Sequence, residues 1–428
     1  MCTETTVAQT GSLSAEESDP AVMGWMDGVP PEADRMISQP DTNYFSFPKL
    51  RWSVCHLREF LPTEQISRGL SAPNPLKILT SESLAAERKT IDPLTFERSD
   101  TGETMTWAES LTANYTDGVL IVHNGRVIYE RYFGCLAEDG KHAAMSMTKS
   151  VTGLLAEIMV VEGDLDEFAL VRDVIPEIGD SAFASATVRQ VMDMTTGVRF
   201  SEDYSDPDAD IWRYSAASSP LPKPVEYTGP DGYWAYLQQV QPDGTHGDAF
   251  HYKTINSDML GWIVSRAAQQ SITQLASERL WRPMGAEQDA YQTVDAFGVP
   301  FAGGGLSAGL RDLGRLGLLV LDEGVVDGRR IFPADVVRNI REGGDPSKFG
   351  GFPTLPGASY TSQWWVLHND HGAFAARGVH GQTIYIDPTA QMVLVRFASH
   401  PKAQNGFIDP TSLPAYQAVA EYLLGKSD

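Results

Sequence analysis

The chain is short of cysteine, short of positive charge, and without a long apolar run. Its three cysteines, Cys2, Cys55 and Cys135, stand far apart with neither CxxC nor histidine spacing around them. The expectation is neither a disulfide framework nor a zinc site. Thirty-three basic residues against 56 acidic ones leave a formal net charge of -23. Such a surface repels phosphate backbones and anionic membranes, so no nucleic acid and no membrane is expected as a partner. No apolar stretch reaches the ~18 residues of a transmembrane helix. No Lys or Arg precedes Arg35 and no apolar h-region is present there, which is unlike a secretory signal. The nine histidines form no HExxH pair, and no glycine loop has phosphate-binding spacing, so no metal and no cofactor are expected. A metal-free cytoplasmic protein is the starting expectation.

What is present suffices for a sizeable core, with 42% hydrophobic residues in a chain of 428. Residues 1–45 are polar, acidic and dotted with proline, and read as an irregular arm on the surface. "DGVLIVHNGRVIYERYFG" from Asp117 reads as two strands joined by an Asn124-Gly125 turn. "ATVRQVMDMTTGV" reads as a short amphipathic helix ending at Gly197, and 199–250 as one long irregular loop, the kind that usually has a use. Helical periodicity returns in "HYKTINSDMLGWIVSRAAQQ", at 311–323 and at about 412–425. "SQWWVLH", "AFAARGVH" and "QTIYIDP-TAQ-MVLVRFAS" read as strands, the last a hairpin. Strands near Asp117 and again at the C-terminus predict an α+β fold: one mostly antiparallel sheet from both ends of the chain, flanked by helices. A helical lobe at about 165–300 interrupts a domain running from 46 to 428.

The stretch "HAAMSMTKSVTGLLAEIMVVEGDL" holds Ser146 and Lys149 at the head of a helix whose apolar positions are Val151, Leu154, Leu155, Ile158 and Val161. Residues at i and i+3 share a helix face, so the lysine amine can reach the serine hydroxyl. A neutral, desolvated lysine is then the base that serine lacks, and free N–H groups at the helix start can hold an oxyanion. The bland alternative is a capping serine beside a solvated lysine. Ser46 with Lys49 and Ser399 with Lys402 repeat the spacing, but each contains proline and no helical period follows. Gly305-Leu306-Ser307-Ala308-Gly309 matches the nucleophile elbow of α/β-hydrolases, yet the segment before it is broken by Gly and Pro and is no central strand. A glycine-rich turn lining a cleft is the better reading there.

Ser146-Met147-Thr148-Lys149 resembles the SxxK motif of the penicillin-recognising serine hydrolases. "YKTINSDMLG" resembles their second motif, Tyr-x-Asn/Ser, with Tyr252, Thr254 and Gly261 in register. "MDMTTGV", "GGGLSAGLRDLGRLG" and "ARGVHGQTIYIDP" resemble later signatures of the class C β-lactamase-like esterases, so the resemblance spans about 117–400. "GWMDGVPP" in the arm and "RWSVCHLREFLPTEQISRG" resemble the branch of 6-aminohexanoate-oligomer (nylon-oligomer) amidases. The resemblance implies a β-lactamase/penicillin-binding-protein-like fold and an amidase or carboxylesterase working through an acyl-enzyme. Ser146 would be the nucleophile, Lys149 the base and Tyr252 the proton shuttle. Tyr204 would contact the substrate amide, and the Val379 N–H, with that of Ser146, would form the oxyanion hole. His380 adjoins that strand, where strand-end packing competes with a role as base. Gly303 lies where those amidases carry asparagine. The third motif, Lys-Thr-Gly, is absent, which weighs against β-lactam turnover. The partner implied is a small amide or ester, with a homodimer carried over from the relatives. A β-lactamase or D-amino acid peptidase on the same fold is the alternative within the class. A non-catalytic binding or sensing protein is the alternative outside it, and would be expected to have lost Ser146, Lys149 or Tyr252. The aromatics of 199–250 either pack the lobe or form a lid.

Overall fold

The computed structural model describes residues 12–38, 43–204, 206–220, 223 and 225–426. Its main sheet has eight strands in the spatial order Ser359–Thr361, Trp364–Val366, Phe374–Gly378, Gln382–Asp387, Met392–Ala398, Thr116–His123, Arg126–Tyr132 and Lys77–Ile78. All neighbours are antiparallel except the last pair. The sheet therefore joins both ends of the chain, with Leu120 opposite Val395 at the seam. Asn124 and Gly125 make the expected hairpin turn, with φ of 46° and 71°, the left-handed pair that a tight two-residue turn needs.

A second, four-stranded sheet runs Thr63–Ile66, Ala290–Thr293, Leu306–Ala308, His142–Ala143. It delivers the chain to Ser146. The helix that follows, Met147–Glu162, stops at Gly163 in the left-handed conformation. This helix is buried on every side from Met147 to Met159, between the helix Thr254–Ala268 and the sheet. Its apolar side chains join the largest core cluster, where each fully buried Leu or Ile contributes about 1.5–3 kcal/mol relative to exposure. Its buried polar groups are all spoken for: Ser150 donates to Gln363 O at 2.7 Å, and Glu157 accepts from Arg189, Asn339 and Ser362.

Several expectations need correction. The segment 199–250 is not one loop: it contains helices Asp210–Ser218 and Tyr233–Leu237. Ile211, Tyr214 and Ala217 are buried at three-residue spacing, a period too brief to stand out among Asp, Ser and Pro. The short helix spans only Val188–Met192. Gly197 does not end it; a Cβ there would lie 2.6 Å from the Gly244 backbone, so close chain approach explains this glycine. "SQWWVLH" is a turn followed by a strand. Ser362 and Gln363 adopt φ of 47° and 65°, and Thr361 pairs with Trp364 across them.

The cysteine reading is also overturned. Cys55 and Cys135, 80 residues apart in sequence, form a disulfide. Nothing in their local spacing signals it, because the pairing depends on how the segment 44–60 docks beside the strand leading to Ser146. Leu50, Val54 and Leu57 cluster there with Ala143 and Met145, and Val54 O accepts from Ala143 N at 2.8 Å. Arg51 reinforces the joint, reaching Asp117 at 3.3 Å and Ser18 at 3.1 Å, while His142 takes the other oxygen of Asp117 at 3.1 Å. No helix among the described residues is long and apolar enough to cross a membrane.

A cross-link closing so long a loop should contribute about 2–4 kcal/mol, mostly by restricting the unfolded chain. Cys55→Ser is therefore expected to lower the denaturant midpoint, and reductant should shift wild type to the same value while leaving the variant unmoved. A midpoint insensitive to both would remove the bond from the account of stability.

Candidate active site

The strand His142–Ala143 reaches the helix Met147–Glu162 through Met145, whose φ of 47° is unusual for a residue with a Cβ. The Thr148 hydroxyl holds that turn by donating to Met145 O at 2.6 Å. Ser146 occupies the N-cap position, but its hydroxyl accepts nothing from the helix start. The bland role of a capping serine is not taken, and the side chain is left for other work.

Lys149 is not solvated either, with 1% of its surface exposed. Its amine donates to Gly303 O and, at 3.1 Å, to Thr254 Oγ1. Burial pushes its pKa below the usual lysine value, against the opposing charges of Glu202 and Asp258. The Tyr252 ring lies 5.4 Å from Nζ. Tyr252 stacks on Trp365 and meets Phe352 and Tyr360 edge-on. Burial, then the Glu202 charge, drives its phenol far above the ordinary tyrosine value, while the nearby Ser146 hydroxyl and Arg377 charge pull the other way. The resting phenol is thus neutral, able to pass a proton on only as another arrives.

Tyr204 joins the same cluster through a residue that the sequence analysis overlooked. Its hydroxyl donates to Glu202 Oε1 at 2.8 Å, and burial raises its pKa well above the ordinary value. Glu202 also accepts from the Thr254 hydroxyl and the Thr254 N–H, each at 2.6 Å. The signal was an acid two residues before Tyr204 in "FSEDYSDP". A second missed acid, Asp258, sits behind Gly303. It accepts from Gly303 N at 3.0 Å and from the Tyr214 hydroxyl at 2.6 Å, and burial pushes its pKa up to about 7. Gly303 itself serves the lysine through its carbonyl. A Cβ there would meet Thr254, Phe301 and Asp258 at 3.0 Å or less, so the asparagine of the amidase branch has no room.

Among the aromatics of 199–250, Tyr214 and Tyr233 are buried packing residues, and Trp212 is exposed while meeting Tyr204 edge-on. Trp364 points into the main core and Trp365 onto Tyr252.

Val379 follows the strand Phe374–Gly378 directly. A Cβ on Gly378 would lie 2.9 Å from Ser146 N and 2.8 Å from Ala144 O, so this strand end presses on the start of the helix Met147–Glu162. Among the described residues no turn or loop carbonyl accepts from the N–H of Ser146 or of Val379. His380 belongs elsewhere. Its Nδ1 bonds to His400 O at 2.7 Å, Phe45 packs edge-on to its ring, and burial pushes its pKa down to about 4. The structure makes it a pin between two loops, with no hydrogen bond to Ser146, Lys149 or Tyr252. The rival Ser307 is wholly buried inside the strand Leu306–Ala308, which excludes attack on a substrate. That segment is strand rather than a turn lining the cleft.

A family profile described as Beta-lactamase matches residues 109–413. The chain belongs to the beta-lactamase family. The "6-aminohexanoate-dimer hydrolase" of Paenarthrobacter ureafaciens is 30% identical to it over 357 residues, covering 83% of this chain and 86% of that one. A solved structure from Bacillus anthracis that carries the name of the same hydrolase has a TM-score of 0.79 at 29% identity, covering 91% of this chain and 99% of that one. A class C beta-lactamase mutant superposes with a TM-score of 0.56 at 16% identity over 80% of this chain and 99% of that one, a likeness of fold alone. As a beta-lactamase-family serine hydrolase, the chain keeps the serine, lysine and tyrosine of the SxxK and Tyr-x-Asn/Ser motifs together, and lacks the third motif's lysine.

Gly378 gives this geometry a test. Its φ of -139° and ψ of 155° suit any residue, so Gly378→Ala acts through its Cβ, which would collide with Ala144 O and Ser146 N and force the strand end off the start of the helix. Displacing one expected oxyanion donor should lower kcat by about 10²-fold, and the unfolding midpoint should fall as the backbone shifts. Wild-type turnover in the variant would show that this close approach is not used.

Proposed function

We propose that the protein cleaves amide and ester bonds of small linear substrates through an acyl-enzyme on Ser146. The observation that carries this reading is the buried amine of Lys149, held one helical turn from Ser146 with its pKa lowered by desolvation. A lysine kept from water has no use as a surface charge but suits a base. In the proposed cycle Lys149 takes the Ser146 proton and Tyr252 delivers it to the departing nitrogen or oxygen. The N–H groups of Ser146 and Val379 hold the oxyanion, and water then releases the acyl group by the reverse proton path.

The relatives' names point to 6-aminohexanoate amides as the substrate type, and we place this chain among amidases and carboxylesterases of that kind. β-Lactam turnover is disfavoured. The nearest cation on the strand of the third motif is Arg377, which is paired with Asp409 and stacked on Trp365, so its charge is already engaged. For location we propose the cytoplasm, a reading that the Cys55–Cys135 bond makes easy to overturn. Full occupancy of that bond in cells quenched with an alkylating agent would place the protein in an oxidising compartment.

The test begins with Ser146→Ala, expected to reduce turnover by about 10³-fold or more, and Lys149→Arg, expected to fail almost as badly because guanidinium does not become a neutral base. A fluorophosphonate should label Ser146 in wild type; a binding or sensing protein would not react. Tyr204 then separates amide from ester chemistry. Its proton is given to Glu202, which leaves its oxygen free to accept from a substrate amide N–H. With matched acyl groups, Tyr204→Phe should slow amide cleavage about tenfold more than ester cleavage, in line with a lost hydrogen bond of about 1.4 kcal/mol. Equal slowing of both would leave Tyr204 as packing.

A further inference from the structure

The hydrogen bonds around Lys149 run in one direction, and Glu202 sets it. The Thr254 hydroxyl has a single proton, which lies on the 2.6 Å bond to Glu202 Oε1. A carboxylate only accepts, so this assignment follows from the partner. Toward Lys149 Nζ, 3.1 Å away, Thr254 therefore offers only a lone pair, as does Gly303 O. Both contacts consume N–H bonds of the amine. A neutral amine has two, which leaves one tetrahedral direction for its lone pair; Ser146 precedes it by one helical turn. Without an acceptor at Glu202, the Thr254 hydroxyl is free to turn round and donate into Nζ, spending the lone pair that the serine proton must reach.

We infer that Glu202 is a positioning residue that, through Thr254, orients the Lys149 lone pair toward Ser146. This rests on the acyl-enzyme reading above and adds a device that the SxxK and Tyr-x-Asn/Ser motifs do not contain. Glu202 is itself anchored, with Oε2 on the Thr254 N–H at 2.6 Å and Oε1 also on the Tyr204 hydroxyl at 2.8 Å. A glutamine cannot copy this arrangement. Its NH₂ would face either the Thr254 N–H or the two hydroxyls, and in the second case would reverse the Thr254 hydroxyl. The carboxylate has an opposing effect: its charge, with that of Asp258, favours protonated lysine. The groups facing the amine are thus Glu202 from the loop, Asp258 and Thr254 from the helix Thr254–Ala268, Tyr252 just before that helix, and Ser146 on its own helix.

The test measures the rate at which a fluorophosphonate labels Ser146, across pH, in wild type, Glu202→Gln, Thr254→Val, Thr254→Ser and the Glu202→Gln/Thr254→Val double variant. Each of the first two single variants should slow labelling by about 10–100-fold at the plateau, and the double variant should be no slower than the worse single, because both break one chain of bonds. Thr254→Ser should stay within about threefold of wild type, since it keeps the hydroxyl. Glu202→Gln should also move the acid limb to lower pH: removing the carboxylate charge lowers the lysine pKa, so the neutral amine persists further into acid. A lowered plateau with an acid-shifted limb is not what general damage to the fold produces. Wild-type rates in Thr254→Val, multiplicative losses in the double variant, or a limb that stays put would overturn the inference while labelling of wild type upholds the acyl-enzyme. Absence of labelling in wild type would overturn both.

Discussion

A primary amine enclosed almost completely by protein is the constraint on which the rest of the structure turns. Burying Lys149 favours its neutral form, yet an amine left without partners in that setting would be costly. Each feature around it answers one side of that tension. Gly303 O and Thr254 Oγ1 satisfy its N–H bonds without adding charge. Glu202 and Asp258 add charge, but each is spread over several donors: Thr254 and Tyr204 for the first, Gly303 and Tyr214 for the second. The acids lie behind the groups that touch the amine, close enough to fix directions and with their charge partly taken up by other bonds.

These parts come from distant places in the chain. Ser146 and Lys149 share a helix, Glu202 and Tyr204 sit in the segment before Asp210–Ser218, and Tyr252, Thr254 and Asp258 surround the start of Thr254–Ala268. Gly303 precedes a strand of the small sheet, and Val379 follows a strand of the large one. Such a site is assembled only when both sheets and both helices are packed, which explains why so much of the helix Met147–Glu162 is core. The clamp behind it has the same logic. Arg51, Asp117, His142 and the Cys55–Cys135 bond hold the strand leading to Ser146.

The fold and the pairing of Ser146 with Lys149 on one helix were legible because their signals are local. Asn124-Gly125, the period from Val151 to Val161 and the alternation of the C-terminal strands each lie within one element. The spacing of Ser146 and Lys149 needs only one helical turn. What was missed depended on contacts between elements. Glu202 and Asp258 are ordinary acids among 56 acidic residues until folding brings Thr254 and Gly303 against them. Cys55 and Cys135 carry no spacing signal because their bond reports docking of the segment 44–60. His380 looked chemical for its residue type, and only the His400 carbonyl and the Phe45 edge show that it fastens a loop.

The same distinction bears on how the site divides its labour. The helix, its lysine and the strand end at Gly378 form a rigid half, since a side chain at 378 or 303 would collide with backbone or close-packed neighbours. The other half is a polar, acid-rich segment, where Glu202 and Tyr204 are only half-buried and Trp212 faces solvent. The two halves are joined by the Thr254 N–H and hydroxyl on the Glu202 carboxylate and by the Tyr214 hydroxyl on Asp258. Glu202 lies two hydrogen bonds from the Lys149 amine, by way of the Thr254 hydroxyl. On the reading proposed above, the acidic segment is therefore both a wall of the substrate cleft and the last fixed point of the lysine.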